Sequence, residues 1–413
     1  MRREAAAILL VLLASGRLAG AQDEPRYVVV FDQHMTPASG TADLLTIERA
    51  LAAVEDRWLS PLRFDESTPL THGLGIGYRL GKWFALDLPQ DHFLMVVGHE
   101  VFGHGARLRE IGAEPIGYQF DAPIPYGPGG AATSFSGDLT VTRADALGID
   151  TAGIEAQNVL ADHITGQALE AGWLPYRGAW LYLESRLDGL RYIRSVSPHS
   201  SPGHDVRSFL EDFNDGCDPP SCSPLSASTL KRRALLMLGD PMLAYAGYTW
   251  AVSYLVQGRS SGGVPMIPLP HDIHYLPALR FEMTPYGTAV TTEHAFVRDH
   301  RLTRVTAGFG DTGREHAWDV GVDAHDALHG SWWHADLRAA VWRQPTLDSP
   351  PNSQVFMTGG LAAASARIQV GRGGPVAERV NLLVQAGYKS DGFVRGERLH
   401  AGPIVRVGVA IRR

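Results

Sequence analysis

The chain is poor in cysteine: Cys217 and Cys222 are the only two among 413 residues. Metal ligation by this pair would need two further ligands, and none stands near it in sequence. The chain also lacks an excess of positive charge. With 37 Lys and Arg against 44 Asp and Glu, its formal net charge is −7, which speaks against a general nucleic-acid-binding surface. No block of like charge makes a basic tail, and no repeat recurs at solenoid periods. There is no Gly-x-Ser-x-Gly elbow. Gly-Phe-Gly-Asp-Thr-Gly at 308–313 is followed by no lysine, so it reads as a hairpin turn rather than a phosphate loop.

Long apolar runs are missing too. The longest N-terminal one, Ala5 to Ala14, is far shorter than the roughly 20 residues that cross a bilayer as a helix. It follows Arg2-Arg3 and precedes Ala19-Gly20-Ala21, small residues where a signal peptidase reads. Residues 1–21 are therefore expected to be a secretory signal peptide, and the protein to be exported to the periplasm or outer membrane of a Gram-negative-type bacterium. Export makes Cys217-Asp-Pro-Pro-Ser-Cys222 a small-loop disulfide, because oxidising compartments favour one.

What is present is a folded composition, with 45% hydrophobic and 20% charged residues. The 45 Gly and 26 Pro point to many turns and a substantial β portion. An α+β fold is expected, as an N-terminal, mainly helical, zincin-like domain over 22–260, a linker over 261–274 and a C-terminal antiparallel β-domain over 275–413. Helical periodicity predicts helices near 42–58, 88–111, 151–170, 176–196, 205–214 and 240–257. The Gly-rich stretch 74–87 reads as strand or loop, with Asp87 as a helix N-cap before Pro89.

Beyond residue 275 about eight segments alternate with period two. Trp333, Ala335, Leu337, Ala339 and Val341 alternate with His334, Asp336 and Arg338, and Val405, Val407 and Val409 alternate with Arg406 and Gly408. Charge on the alternate faces (Asp319 and Asp323, Asp336 and Arg338) favours a membrane β-barrel, apolar outside and polar within, in contact with outer-membrane lipid. A soluble barrel or sandwich with one wet face is the other architecture. The C-terminus, Ile411-Arg412-Arg413, lacks the aromatic end common in outer-membrane barrels.

The chemistry sits in the 88–111 helix. Phe93, Leu94, Met95, Val96, Val97, Val101, Phe102 and Leu108 make it apolar nearly all round, as a buried helix is. Yet its centre carries His99-Glu100-Val101-Phe102-Gly103-His104-Gly105. Buried ionisable groups need partners or a metal. Two imidazoles with a Glu after the first is the arrangement that binds Zn2+ and activates a water. The spacing is i, i+5 rather than i, i+4. On an ideal α-helix that sets the two histidines about 140° apart. A π-turn near Gly103 would return them to one face.

The segment resembles the zinc motif of the dipeptidyl peptidase III family, His-Glu-x-x-Gly-His. By that resemblance His99 and His104 are zinc ligands, Glu100 is the general base, and a Glu on a later helix is the third ligand. Glu155 takes that place, with Asn158 or Asp162 as residues that orient a histidine. Its rivals are Glu170, Asp162, His163 and Glu184. The resemblance covers this motif only.

The expectation is an exported zinc metallopeptidase acting on a peptide or protein substrate. Tyr118, Tyr126 or His163 would supply an oxyanion donor, and 120–130 would shape the groove. His92 reads as a helix-start polar residue, and His271 and His274 as loop histidines. The alternative is an outer-membrane β-barrel or binding protein with a structural or inactive zinc site.

Overall fold

The computed structural model describes residues 25–59, 66–136, 139–201, 203–371 and 380–412. The signal-peptide expectation lies outside these residues. The chain opens with β1 (Pro25–Phe31) and α1 (Pro37–Leu59). A long helical rod follows: α2 (Pro69–Lys82), a π-helical stretch Trp83–Asp87, α3 (Leu88–Val97), a second π-helical stretch Gly98–His104, and α4 (Gly105–Glu110). Gly112, at φ 77°, ends it, as a left-handed stop suits glycine.

The 74–87 stretch is thus helix, not strand or loop. Thr68 caps it, its side chain accepting from Thr71 N, and Pro69 follows at the first helical position. At Gly75 a Cβ would lie 2.3 Å from a Glu66 carboxylate oxygen, so packing selects at least this glycine. Asp87 caps nothing: it is buried inside the rod, accepting from Lys82 Nζ at 2.8 and 2.9 Å.

A hairpin of β2 (Ile116–Phe120) and β3 (Ala131–Phe135) precedes α5 (Arg143–Ala171). Thr142 and Asp145 form a reciprocal capping box at the start of α5, and left-handed Gly172 ends it. Then come β4 (Trp173–Pro175), α6 (Tyr176–Ser195), α7 (Asp205–Asn214), α8 (Ala227–Ala234) and α9 (Pro241–Tyr248), which runs on as a π-helix over Thr249–Val256. The predicted Cys217–Cys222 disulfide is formed, between α7 and α8.

β5 (Ser261–Gly263) pairs with β4. The sheet then follows: β6 (Ile267–Leu269), β7 (Ile273–Thr284), β8 (Gly287–Arg298), β9 (Arg301–Asp311), β10 (His316–His329), β11 (Trp333–Pro345), β12 (Phe356–Gln369), β13 (Val380–Lys389) and β14 (Gly402–Arg412). Strand order is β1-β14-β13-β12-β11-β10-β9-β8-β7-β6, every pairing antiparallel. The eight predicted strands are all there. Two more join them, β1 and the short β6.

The expected barrel is not closed by strand pairing: β1 and β6 are edges of an open sheet. An edge leaves backbone groups unpaired, and here α1 covers one. Val28 N donates to Thr46 Oγ1 and Val30 N to Asp43 Oδ1, both at 2.8 Å. The sheet's inner face encloses the second half of α5. Leu160, Ile164 and Leu169 of that helix share a core with Leu276, Ala295, Val297 and Leu302 of the sheet and Leu181 and Met242 of the helices. Full burial of such side chains contributes roughly 1.5–3 kcal/mol each. No helix among the described residues is long and apolar enough to cross a membrane.

Candidate metal centre

The first half of α5 crosses the rod at its second π-helical stretch, and glycines set how closely. A Cβ on Gly103 would sit 2.7 Å from Ala152 O, and one on Gly153 would sit 2.2 Å from His99 Nε2. The Gly103 contact is against backbone and cannot be relieved, so that position excludes a larger residue, and a side chain at Gly153 would have to displace the His99 ring. Gly105 likewise faces the Tyr118 hydroxyl, at 2.2 Å from its would-be Cβ. These glycines permit close approach; none of the three has a positive φ.

The π-helix over Gly98–His104 is where the i, i+5 spacing placed one. The extra residue per turn brings the two imidazoles together, with ring centroids 4.9 Å apart. His99 Nε2 lies 3.1 Å and His104 Nε2 3.2 Å from the same oxygen, Oδ2 of Asp205. Asp205 opens α7. These three side chains each offer one ligand atom, all within 4.8 Å of one another. Ligands held about 2.0–2.1 Å from a tetrahedral Zn2+ stand roughly 3.3 Å apart, close to the two histidine–Asp205 separations of 3.1 and 3.2 Å. His104 Nδ1 donates to Ile149 O at 2.8 Å, which fixes the tautomer that turns Nε2 toward Asp205.

Electrostatics concentrate on the same spot. Burial works against the charged form of His104, but the Asp205 carboxylate overrides it and raises the pKa to about 9. Burial also opposes the Asp205 carboxylate, and His104 and His99 hold it well below the usual range. Asp150, next to Ile149, is pushed up to about 8 by burial and by repulsion from Asp212 and Asp205. Tyr192 completes the wall. Its ring meets His99 edge-on and stacks on His204 at 4.4 Å, and its hydroxyl accepts from Asp205 N at 3.2 Å.

Glu100 is buried and accepts a hydrogen bond from Thr133 Oγ1 of β3. Glu155 is not with the histidines. Gly153 is the α5 residue against His99, and two residues on, a side chain is turned about 200° around the helix. Glu155 instead accepts from Arg107 Nη2 at 2.6 Å and from Gly396 N at 2.7 Å. Asn158 accepts from Arg186, and Asp162 pairs with Arg186, Arg280 and Arg395, away from the histidine pair.

The rival ligands are elsewhere too. Glu170 meets His325, Glu184 accepts from His92, and His163 lines the cavity inside the sheet. Of the expected oxyanion donors, Tyr118 accepts from Arg109 and Tyr126 donates to Ala85 O. The tyrosine at the histidines is Tyr192. No family model, curated protein or solved structure matches the chain, so the resemblance at 99–105 is a local one.

Proposed function

We propose that the protein is a zinc-dependent hydrolase, a peptidase by preference, with His99, His104 and Asp205 as the metal ligands. The observation that carries this is the convergence of two imidazole nitrogens on one carboxylate oxygen, at 3.1 and 3.2 Å, across a π-turn. A two-histidine, one-carboxylate set leaves a coordination position open, as catalytic zinc sites do. Zn2+ there would polarise a carbonyl and bring the pKa of a water down to near 7. Glu100, on the same π-turn, is the group placed to take that proton and pass it to a leaving amine. Thr133 holds its carboxylate in orientation. Tyr192 lines the site as a polar aromatic wall for substrate. Export to the periplasm or outer membrane belongs to the same reading and rests on the leader-like residues 1–21.

A second reading is a site without turnover. It is favoured by hydrogen-bond distances alone: Asp205 accepts from both imidazoles, and such a trio can stand as a charged structural cluster. The test is Glu100→Gln in metal-loaded protein, assayed on a peptide library. The hydrolase reading expects bound metal unchanged and cleavage lost by 100-fold or more. Equal cleavage by both proteins, or none by the wild type, would leave the structural reading.

A further inference from the structure

Along β9 to β14 the outward face of the sheet is apolar, while the inward face holds both charged residues and a buried apolar cluster of Trp342, Leu361, Ala363 and Ile404. One row of directly paired residues runs Val305, Val322, Ala339, Ala362, Tyr388, Pro403. Val305, Val322 and Tyr388 are 37%, 42% and 58% exposed. One residue along, the paired row on the other face runs Arg304, Asp323, Arg338. These three meet one another inside, Asp323 lying 3.7 Å from Arg304 and 3.9 Å from Arg338. Alternation puts every second side chain on one face, and the inward row continues from Arg338 through Ala363, Gly387 and Ile404. Val320, Val341 and Val407 point outward, while Asp319, Asp336 and Arg406 point into a cavity of about 340 Å³. A sheet in water buries its apolar face and wets its polar one. This one turns apolar residues outward and holds charge within.

The outer face also has rims. At one end stand Phe309, Trp318 and Tyr388, 68%, 38% and 58% exposed. Next to Trp318 in register is Arg343, paired with Glu315. At the other end, the β10–β11 turn carries Trp332 and Trp333. Between the rims the outward positions of that row, apart from Pro403 and the rim residue Tyr388, are Val and Ala, with no charge. From Trp333 to Arg343 a strand covers about 34 Å, and at the roughly 40° tilt of barrel strands this stands about 26 Å tall. That is the height of the apolar band on a membrane-embedded β-sheet, flanked by aromatic girdles.

We propose that the outer face of β9 to β14 lies against the acyl chains of a lipid bilayer. The open edge does not oppose this. Backbone groups in lipid must be satisfied within the protein, and α1 side chains do so for Val28 and Val30 of β1. This inference stands independently of the metal centre.

The test uses the full chain, purified in detergent and reconstituted into phosphatidylcholine vesicles brominated on the acyl chains. Ala362→Cys and Ala386→Cys, both outward small residues, and inward Ser365→Cys carry a bimane label one at a time; the native cysteines are tied in their disulfide. The expected result is several-fold stronger quenching by brominated chains at 362 and 386 than at 365, with aqueous iodide showing no preference for 362 and 386. Equal quenching at all three positions overturns the proposal. So does protein that stays monodisperse in water without detergent, as a monomer or as a dimer covering this face.

Discussion

Buried charge is handled differently in the two halves of the molecule. Against the inner face of the sheet, acids meet arginines: Asp162 pairs with Arg186, Arg280 and Arg395, Glu293 with Arg280, and Glu397 with Arg338 and Arg406. Each of those acids meets at least one arginine. At the crossing of α5 and the π-turn, Asp205 meets His99 and His104, Glu100 acts on His104, and Asp150 is repelled by Asp205. On the proposed reading, the difference separates charge that holds the fold from a donor set that takes a cation.

Glu155 is the sharpest way to test that separation, because the sequence assigns it to the site and the fold assigns it to a buried ion pair. Glu155→Ala removes the shorter of the two carboxylate contacts of buried Arg107, leaving Glu110 at 3.3 Å, and is expected to cost about 3 kcal/mol, read by denaturant unfolding, while the fraction that folds keeps its metal. Metal lost with stability intact would return Glu155 to the ligand set. Next in size is charge on the outer sheet. Val320→Arg is expected to cost roughly 2–4 kcal/mol in a bilayer, measured as folded protein recovered from vesicles. The same change at Leu187, exposed on α6, should stay within about 0.5 kcal/mol. Gly103→Ala should cost about 1–3 kcal/mol by forcing the rod and α5 apart, and should lower metal affinity with it.

The smallest expected effect concerns Asp91, fully buried on α3 with no hydrogen-bond partner for either oxygen among the described residues. Burial first, then Glu48, Asp87 and Glu184, hold its pKa well above the ordinary value. The unfolded chain therefore releases this proton at lower pH than the folded one, and stability falls as pH rises across that window. Asp91→Asn should remove this slope. It should be the more stable protein at pH 8, with the difference shrinking toward pH 4 in thermal unfolding. A constant difference across that range would mean that Asp91 is ionised in place.

The sheet was legible because period-two alternation survives in each of its eight long strands. β1 was not, since Tyr27-Val-Val-Val-Phe31 is a continuous apolar run beside the leader-like segment. Nor could alternation say whether the sheet closes, because closure depends on which strands meet at its ends. The 74–87 helix was hidden by glycines. The π-turn was legible in the His99–His104 spacing alone, since no straight α-helix can use that pair. Asp205 was not. It stands 101 residues after His104, and its one local sign, an acid opening a short amphipathic helix, is shared by many helix starts. Glu155 misled because a family-like position says nothing about helical phase, and phase turns it away from Gly153.

The most direct measurement is the zinc content of the full chain, by elemental mass spectrometry, for the wild type, His104→Ala and Asp205→Ala. The account predicts about one zinc per wild-type chain, lost in both variants while they remain folded. Folded wild-type protein without zinc, or zinc retained in Asp205→Ala, would contradict it.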